Sequence, residues 1–441
     1  MVLLLSLANC NIALIGACKK GDLEIVRVLQ DSGFEPSDKY NQAIAHASAN
    51  GQLEVVEHLL QDGRVDPSLA IRSASERGHS AIVERLLQDD RVDPSILNSD
   101  PLARASAHGH LAVVERLLKD TRVDPSDSNN RAIWAAAGHG HLAIVERLLQ
   151  DDRVDPSNLD NDPLVRASAH GHLAVVERLL KDTRVDPSSS NNRAIWAAAG
   201  RGHLAIVERL LQDSRVDPSY PNNEAFTSAC GFGQPDVVER LLKDSRVDPS
   251  TRNNIAIRAA AQEGHVAIVE RLLQDNRVDP SDDEDSVDAM LLAVRNGHLD
   301  VVECLLKDSR VDPSARNNCA LEAAAHGGYV DILERLLHDS RVDPSANHNQ
   351  AIIWASQEGH LAVVERLMQD SRVDPSEHEN VALQLASVSG YLAVVDQLLK
   401  DSRVDPSAQN DKAIRVARVQ GYSNIVERLD AAKTHQKLNL A

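Results

Sequence analysis

Aromatic residues are scarce, with 3 Trp, 5 Tyr and 3 Phe in 441 residues. Large aromatic side chains supply much of the buried area of compact domains. The length would otherwise suggest several such domains, and the scarcity argues instead for a core of small aliphatic side chains used repeatedly. Cysteine is also rare. Cys10, Cys18, Cys230, Cys304 and Cys319 show neither even pairing nor CxxC spacing, so neither a disulfide framework nor a zinc site is expected, and a reducing, cytoplasmic setting follows. Positive charge is in deficit, 47 Lys plus Arg against 66 Asp plus Glu for a net charge of −19, which argues against a general nucleic-acid binder. No apolar run approaches the roughly 18 residues of a membrane-spanning helix. The short run Val2 to Ala8 lacks a basic flank and is broken by Asn9 and Asn11. It reads as an N-terminal capping segment over residues 1–8, with a signal peptide as the alternative. GxSxG, Walker, HExxH and kinase motifs are all missing, so no enzyme is expected.

What the chain has is repetition. Arg-Val-Asp-Pro occurs twelve times between Arg64 and Arg403, at spacings of 27, then 31 six times, then 33, then 31 three times. A second marker is a glycine at 21, 51, 78, 109, 140, 171, 202, 233, 264, 297, 328, 359, 390 and 421. Thirteen of the 17 prolines and 14 of the 21 glycines occupy these two places, so the residues that constrain the backbone serve as punctuation. The spacing gives fourteen repeats over residues 9–432, followed by a polar tail at 433–441. Asp430, where other repeats have the second Leu of Leu-Leu, marks the last repeat as a cap. Residues 99–157 recur at 161–219 with five differences, at Ser99/Asn161, Ala103/Val165, Asp127/Ser189, His139/Arg201 and Asp152/Ser214, the mark of a duplicated two-repeat block.

The repeat from Asn130 to Ser157 illustrates the expected local structure. Asn130 is placed to cap a helix over 131–138, and Gly140 to end it in a left-handed conformation. Leu142, Val145, Leu148 and Leu149 form the apolar face of a second helix, and Asp155-Pro156-Ser157 makes a turn. Four residues before each marker glycine stands an alanine, such as Ala136 or Ala167, which implies helices approaching too closely for a larger side chain. One such repeat has too small an apolar face to fold alone, so an all-α solenoid of stacked helix-turn-helix repeats is predicted.

The stretch from Gly140 to Leu149, GHLAIVERLL, and that from Gly21 to Phe34, GDLEIVRVLQDSGF, resemble the ankyrin repeat. The resemblance spans nearly the whole chain. It implies a non-catalytic scaffold or adaptor that binds a protein partner on the concave face lined by the first helices. The family's TPLH tetrapeptide is reduced here to Ala-Ile or Ala-Leu, with Pro101-Leu102 and Pro163-Leu164 as remnants. That puts the inter-repeat hydrogen bonds of its histidine in doubt. The 31-residue period also predicts stubby loops, except for a longer acidic one at 282–288.

Function is sought where the repeats differ, at positions two, three, six and seven after the Ala or Pro that opens the first helix. Lys19, Lys20, Arg72, Arg77, Arg104, Arg166, Arg201, Arg258, Arg295 and Arg415 stand there, against Glu76, Glu263, Glu322 and Glu358. So do all three tryptophans, Trp134, Trp196 and Trp354. Arg and Trp are favoured interface anchors, and Arg72, Arg77, Arg104, Trp134, Arg166, Trp196, Arg201, Arg258, Arg295 and Trp354 are the candidate partner-binding residues. The expected partner is a protein segment of acidic or mixed charge, met by a monomer without cofactor, metal, nucleic acid or membrane. Trp134 and Trp196 have a second reading as covers for a neighbouring repeat. The eight histidines after the marker glycine, His79 to His360, recur one repeat apart and read as turn residues, not as metal ligands. The Arg-Val-Asp-Pro arginines read as solvated or weakly paired charges. Alternatives for the whole chain are an architectural spacer without a specific partner, or a secreted, host-targeted ankyrin effector.

Overall fold

The computed structural model describes residues 12–31, 38–95, 100–157, 162–281 and 288–439. The capping segment expected at 1–8, Cys10 and most of the acidic loop lie outside them. Contacts cluster into two compact halves, Met1–Pro221 and Asn222–Ala441. Each half is built from pairs of helices and, among the described residues, no strands. In the N-terminal half the first helices include Ser68–Arg77, Pro101–Ala107, Asp127–Gly138, Pro163–His170 and Ser189–Gly200. Their partners are Ser80–Leu87, Leu111–Leu117, Leu142–Leu148, Leu173–Leu179 and Leu204–Leu211. The C-terminal half repeats the arrangement from Glu224–Gly231 with Pro235–Leu242 to Ala408–Gln420 with Ser423–Asn439. Within each half, first helices pack on first helices and second on second, which is the stacking that a solenoid requires. The last helix runs on to Asn439, and Lys433 Nζ donates to Asp411 Oδ1 at 2.6 Å. The polar tail expected from 433 is thus a continuation of that helix.

The marker glycines set the bend between paired helices. All fourteen have φ between 72° and 88°, a region open to glycine and costly for other residues. The next N–H turns back on the helix just ended, as where His141 N–H donates to the Ala136 carbonyl at 3.0 Å. Ala136, Ala167 and Ala198 are fully buried, so close helix approach is the reason for alanine there. The second helix buries a slightly different face from the one expected. Ile144, Val145, Leu148 and Leu149 are buried while Leu142 is only half-buried, because a two-turn helix wedged between neighbours buries two adjacent columns.

The helix entrance departs from expectation. Ser128, Asn129 and Asn130 are all left-handed, with φ of 52°, 58° and 60°, so Asn130 does not cap its own helix. Its Oδ1 instead accepts the Asp155 N–H at 2.8 Å, in the turn that ends the same repeat. The same bond joins Asn192 to Asp217, Asn254 to Asp279, Asn318 to Asp343, Asn349 to Asp374 and Asn380 to Asp405. Asparagine suits the place because it tolerates the left-handed region and carries an acceptor for the partly buried N–H of the turn. Three repeats are opened by an aspartate that makes a true cap, unlike Asp411, which is left-handed with φ 61°. Asp162 Oδ1 accepts from Leu164 and Val165, Asp100 from Ala103, and Asp288 from Leu291. Replacing Asn318 by alanine should cost about 2–3 kcal/mol in urea unfolding, the sum of an orphaned Asp343 N–H and left-handed strain. Asn318→Gly, which relieves only the strain, should recover part of it.

Histidine and arginine join successive repeats. His141 Nε2 lies 3.0 Å from the Ala107 carbonyl, His172 Nε2 3.1 Å from that of Gly138, and His265 Nε2 3.1 Å from that of Gly231. A carbonyl only accepts, so Nε2 carries the hydrogen and satisfies the exposed end of the preceding first helix. These histidines supply bonds between repeats that loss of the TPLH histidine had put in doubt. The arginines correct the sequence reading. Arg184 grips Asp182 through Nε at 2.9 Å and Nη2 at 2.8 Å while Nη1 donates to the Val154 carbonyl of the preceding repeat at 2.8 Å. Arg122, Arg153, Arg215, Arg277, Arg310, Arg341 and Arg372 do likewise, and Arg403 reaches the Val373 carbonyl through Nη2. They are ties between repeats rather than solvated charges.

Candidate functional site

The first helices of the N-terminal half carry seven of the ten candidate residues. Arg77 and Arg201 are exposed, Arg72 is half-buried, and none of the three forms an ion pair among the described residues. Arg104 and Arg166 hold equivalent places in the duplicated block and behave differently because their neighbours differ. Arg104 Nη1 meets Glu76 Oε2 at 3.0 Å, with about a third of each side chain exposed; such a pair contributes little. Arg166 crosses Gly138, where an added Cβ would lie 2.7 Å from its Cγ, and its guanidinium sits 4.4 Å from the centre of the Trp134 ring. Its buried Nε has no hydrogen-bond acceptor, so the cation is held by the π face. Trp134 is therefore half-buried beneath an arginine of the following first helix, whereas Trp196 is 37% exposed.

The C-terminal half holds the other three. Arg258 is half-buried with Nε unsatisfied, and Arg295 is exposed. Both lie in the field of Asp288, whose carboxyl is pushed up by burial and drawn back by its hydrogen bond from Leu291 and by these two cations. Trp354 is half-buried and meets the edge of the His326 ring at 5.3 Å, with Glu358 4.0 Å from His326 Nε2. A groove of about 390 Å³ opens between the repeats beginning at Asn222 and Thr251, with Thr227, Phe232, Arg252, Ile255 and Glu263 on its wall. Phe232 is 68% exposed. It stands seven residues after Ala225, one of the varying positions, and a tally of charge and tryptophan alone passes over it.

The charge on this face is unevenly placed. In the N-terminal half, Lys19, Lys20, Arg72, Arg77, Arg104, Arg166 and Arg201 stand against Glu76 alone. In the C-terminal half, Arg258, Arg295 and Arg415 stand against Glu263, Glu322 and Glu358. The positive excess of the varying positions lies wholly in the first half.

Cys18, Cys230 and Cys304 are free and buried; burial pushes the Cys18 thiol up to about 12 and raises Cys230 further, which leaves them protonated and inert. Among the described residues no helix is long and apolar enough to cross a membrane.

The family profile for ankyrin repeats (3 copies) matches residues 71–160, 102–191, 164–253, 226–317, 256–349 and 321–410. A search of curated proteins gave no match. Ankyrin repeats are generally modules of protein–protein interaction and typically non-catalytic. The matches run unbroken from 71 to 410, over helix pairs hinged at left-handed glycines and stacked like on like, and the chain belongs to the ankyrin-repeat family.

Proposed function

We propose that the chain is a non-catalytic scaffold that binds an acidic protein segment on the first-helix face of its N-terminal half. The observation that carries this is the placement of charge: seven basic side chains against one acidic at the varying first-helix positions of that half, on a protein of net charge −19. Arg77 and Arg201 are exposed and without ion pairs, so they meet a carboxylate without first breaking an internal contact. Trp196, on the helix that Arg201 follows, offers exposed aromatic area, as interface anchors do. Such binding weakens with ionic strength, and the arrangement serves occupying, bridging or sequestering a partner.

The test is capture of binding proteins by the wild-type chain and by an Arg77→Glu/Arg201→Glu variant. Both positions are exposed, so the fold tolerates the change. The variant should lose the wild-type partner by about tenfold or more, on the order of 1 kcal/mol for each exposed charge. The matching reversal of Arg295 in the second half should leave capture unchanged. Equal capture by all three proteins would overturn the assignment to this face.

A further inference from the structure

His348, Glu377 and His378 stand outside the series of histidines that follow the marker glycines. They lie at the left-handed entrances of two successive repeats, in Ser-Ala-Asn-His-Asn and Ser-Glu-His-Glu-Asn. One ligand-capable atom from each of the three lies within 4.8 Å of the others. The two imidazole centroids are 4.8 Å apart with the rings tilted by 58°, and His348 Nδ1 is 3.6 Å from Glu377 Oε1.

We propose that these three side chains form a site for a divalent transition metal of the zinc class, clasping two neighbouring repeat entrances together. Two imidazoles and one carboxylate suit zinc and its neighbours, whereas calcium and magnesium favour all-oxygen sets. Bonds of about 2.0–2.1 Å in a tetrahedron place ligand atoms about 3.4 Å apart. The His348–Glu377 pair is already near that spacing. The two separations to His378 are at most 4.8 Å, and the His348 side chain, 68% exposed, has room for the side-chain rotation that closes them.

The backbone beneath the site is fixed. His348 has φ 58° and His378 φ 49°, and each turn is tied at its far end. Asn349 Oδ1 accepts from Asp374 at 2.7 Å and Asn380 Oδ1 from Asp405 at 2.9 Å. The ligands thus project from two preset turns, which lowers the ordering cost of binding. In the preceding repeats Asn317 takes the place of His348 and Asn347 that of His378. His348 departs from the asparagine that most repeats carry at its place, as at Asn129, Asn191, Asn253 and Asn317, while His378 stands one position earlier on the next turn, where the residue varies between repeats. Neither makes a bond that the fold needs, unlike the histidines after the marker glycines. Three protein ligands leave at least one coordination position for water or another donor.

The test is zinc binding by the full chain, with zinc ion alone as the probe and a chromogenic chelator in competition. His348→Asn and His378→Asn each restore the residue used in a neighbouring repeat, so both variants keep the fold, and circular dichroism checks this. The wild type should bind one zinc ion more tightly than either variant by at least about tenfold, since even supporting residues around a metal carry tenfold effects. X-ray absorption of the one-to-one complex should show two imidazoles, and zinc should raise the thermal midpoint of the wild type alone. Equal affinity in the wild type and both variants, or a tightest site without imidazole, would overturn the proposal.

Discussion

Replacing Gly140 by alanine should destabilise the protein by about 2–4 kcal/mol, more than the backbone conformation alone would cause. Gly140 has φ 77°, and holding alanine in the left-handed region costs about 1–2 kcal/mol. The added methyl would also lie 2.6 Å from His172 Nδ1 and 2.9 Å from its Cε1. His172 would have to move, surrendering its 3.1 Å bond to the Gly138 carbonyl and leaving that helix end unsatisfied at a further cost of about 1–3 kcal/mol. The chain contains its own control. Gly421 has φ 82° but nothing within 4 Å of an added Cβ, so Gly421→Ala should show only the backbone cost. In a His172→Ala background the penalty of Gly140→Ala should fall to the Gly421 level, a coupling that a double-mutant cycle in urea reads directly. Equal penalties at 140 and 421 in the wild-type background would mean that the histidine contact contributes nothing.

Acid should unfold the protein steeply between about pH 4 and pH 2. Twelve aspartates, from Asp62 to Asp401, stand two residues before the Arg-Val-Asp-Pro arginines, and each titrates below its ordinary value. The largest cause is the hydrogen bonding of the arginine side chain, opposed by partial burial. Asp339 is held at about 2. A carboxyl with a depressed folded value stabilises the fold above its unfolded value, about 4, and that stability is lost as pH falls through the folded value. Asp100, Asp162 and Asp288 are raised by burial and act in the opposite direction. Glu322 is raised in the same way, which makes four against the twelve, and Asp93, Asp124, Asp155 and Glu239 are lowered as well, so the net effect is loss in acid. His46, His58 and His172 are lowered, first by burial, and favour the fold above about pH 6.5, adding a shallower slope below it. The urea midpoint measured at successive pH values should therefore decline gently from pH 7 and fall sharply below about pH 4. A midpoint constant from pH 5 to pH 2 would show that the arginine grips add no stability. The same grips carry the ties between repeats, so protonation weakens the array at many interfaces at once.

The repeat, its punctuation and the paired helices were legible because each rests on a local rule. Glycine is used where φ must be positive, alanine where helices touch, and proline where a turn must form. Three things were not legible. Asn130 reads as a cap because its spacing to a following helix is right, yet its acceptor serves Asp155, twenty-five residues on in the chain. Arg184 reads as solvated because its obvious neighbours are aspartates, but its third donor reaches a valine carbonyl thirty residues back. Arg104 and Arg166 occupy near-identical local sequence, and only the preceding first helix makes one an ion pair and the other a cation over Trp134. The candidate face was chosen by variation between repeats, whereas the confinement of its positive excess to Met1–Pro221 emerges once contacts divide the chain.

Sequence alone determined that this protein is a stack of small helical repeats with an aliphatic core, since periodic glycine, proline and alanine act on the backbone and nearest helix without distant partners. Tertiary structure decided which polar side chains tie one repeat to the next, which arginines remain unpaired at the surface, and that two loop histidines and a glutamate converge. Those outcomes depend on residues about thirty positions apart in sequence meeting in space, and near-identical local stretches meet different neighbours.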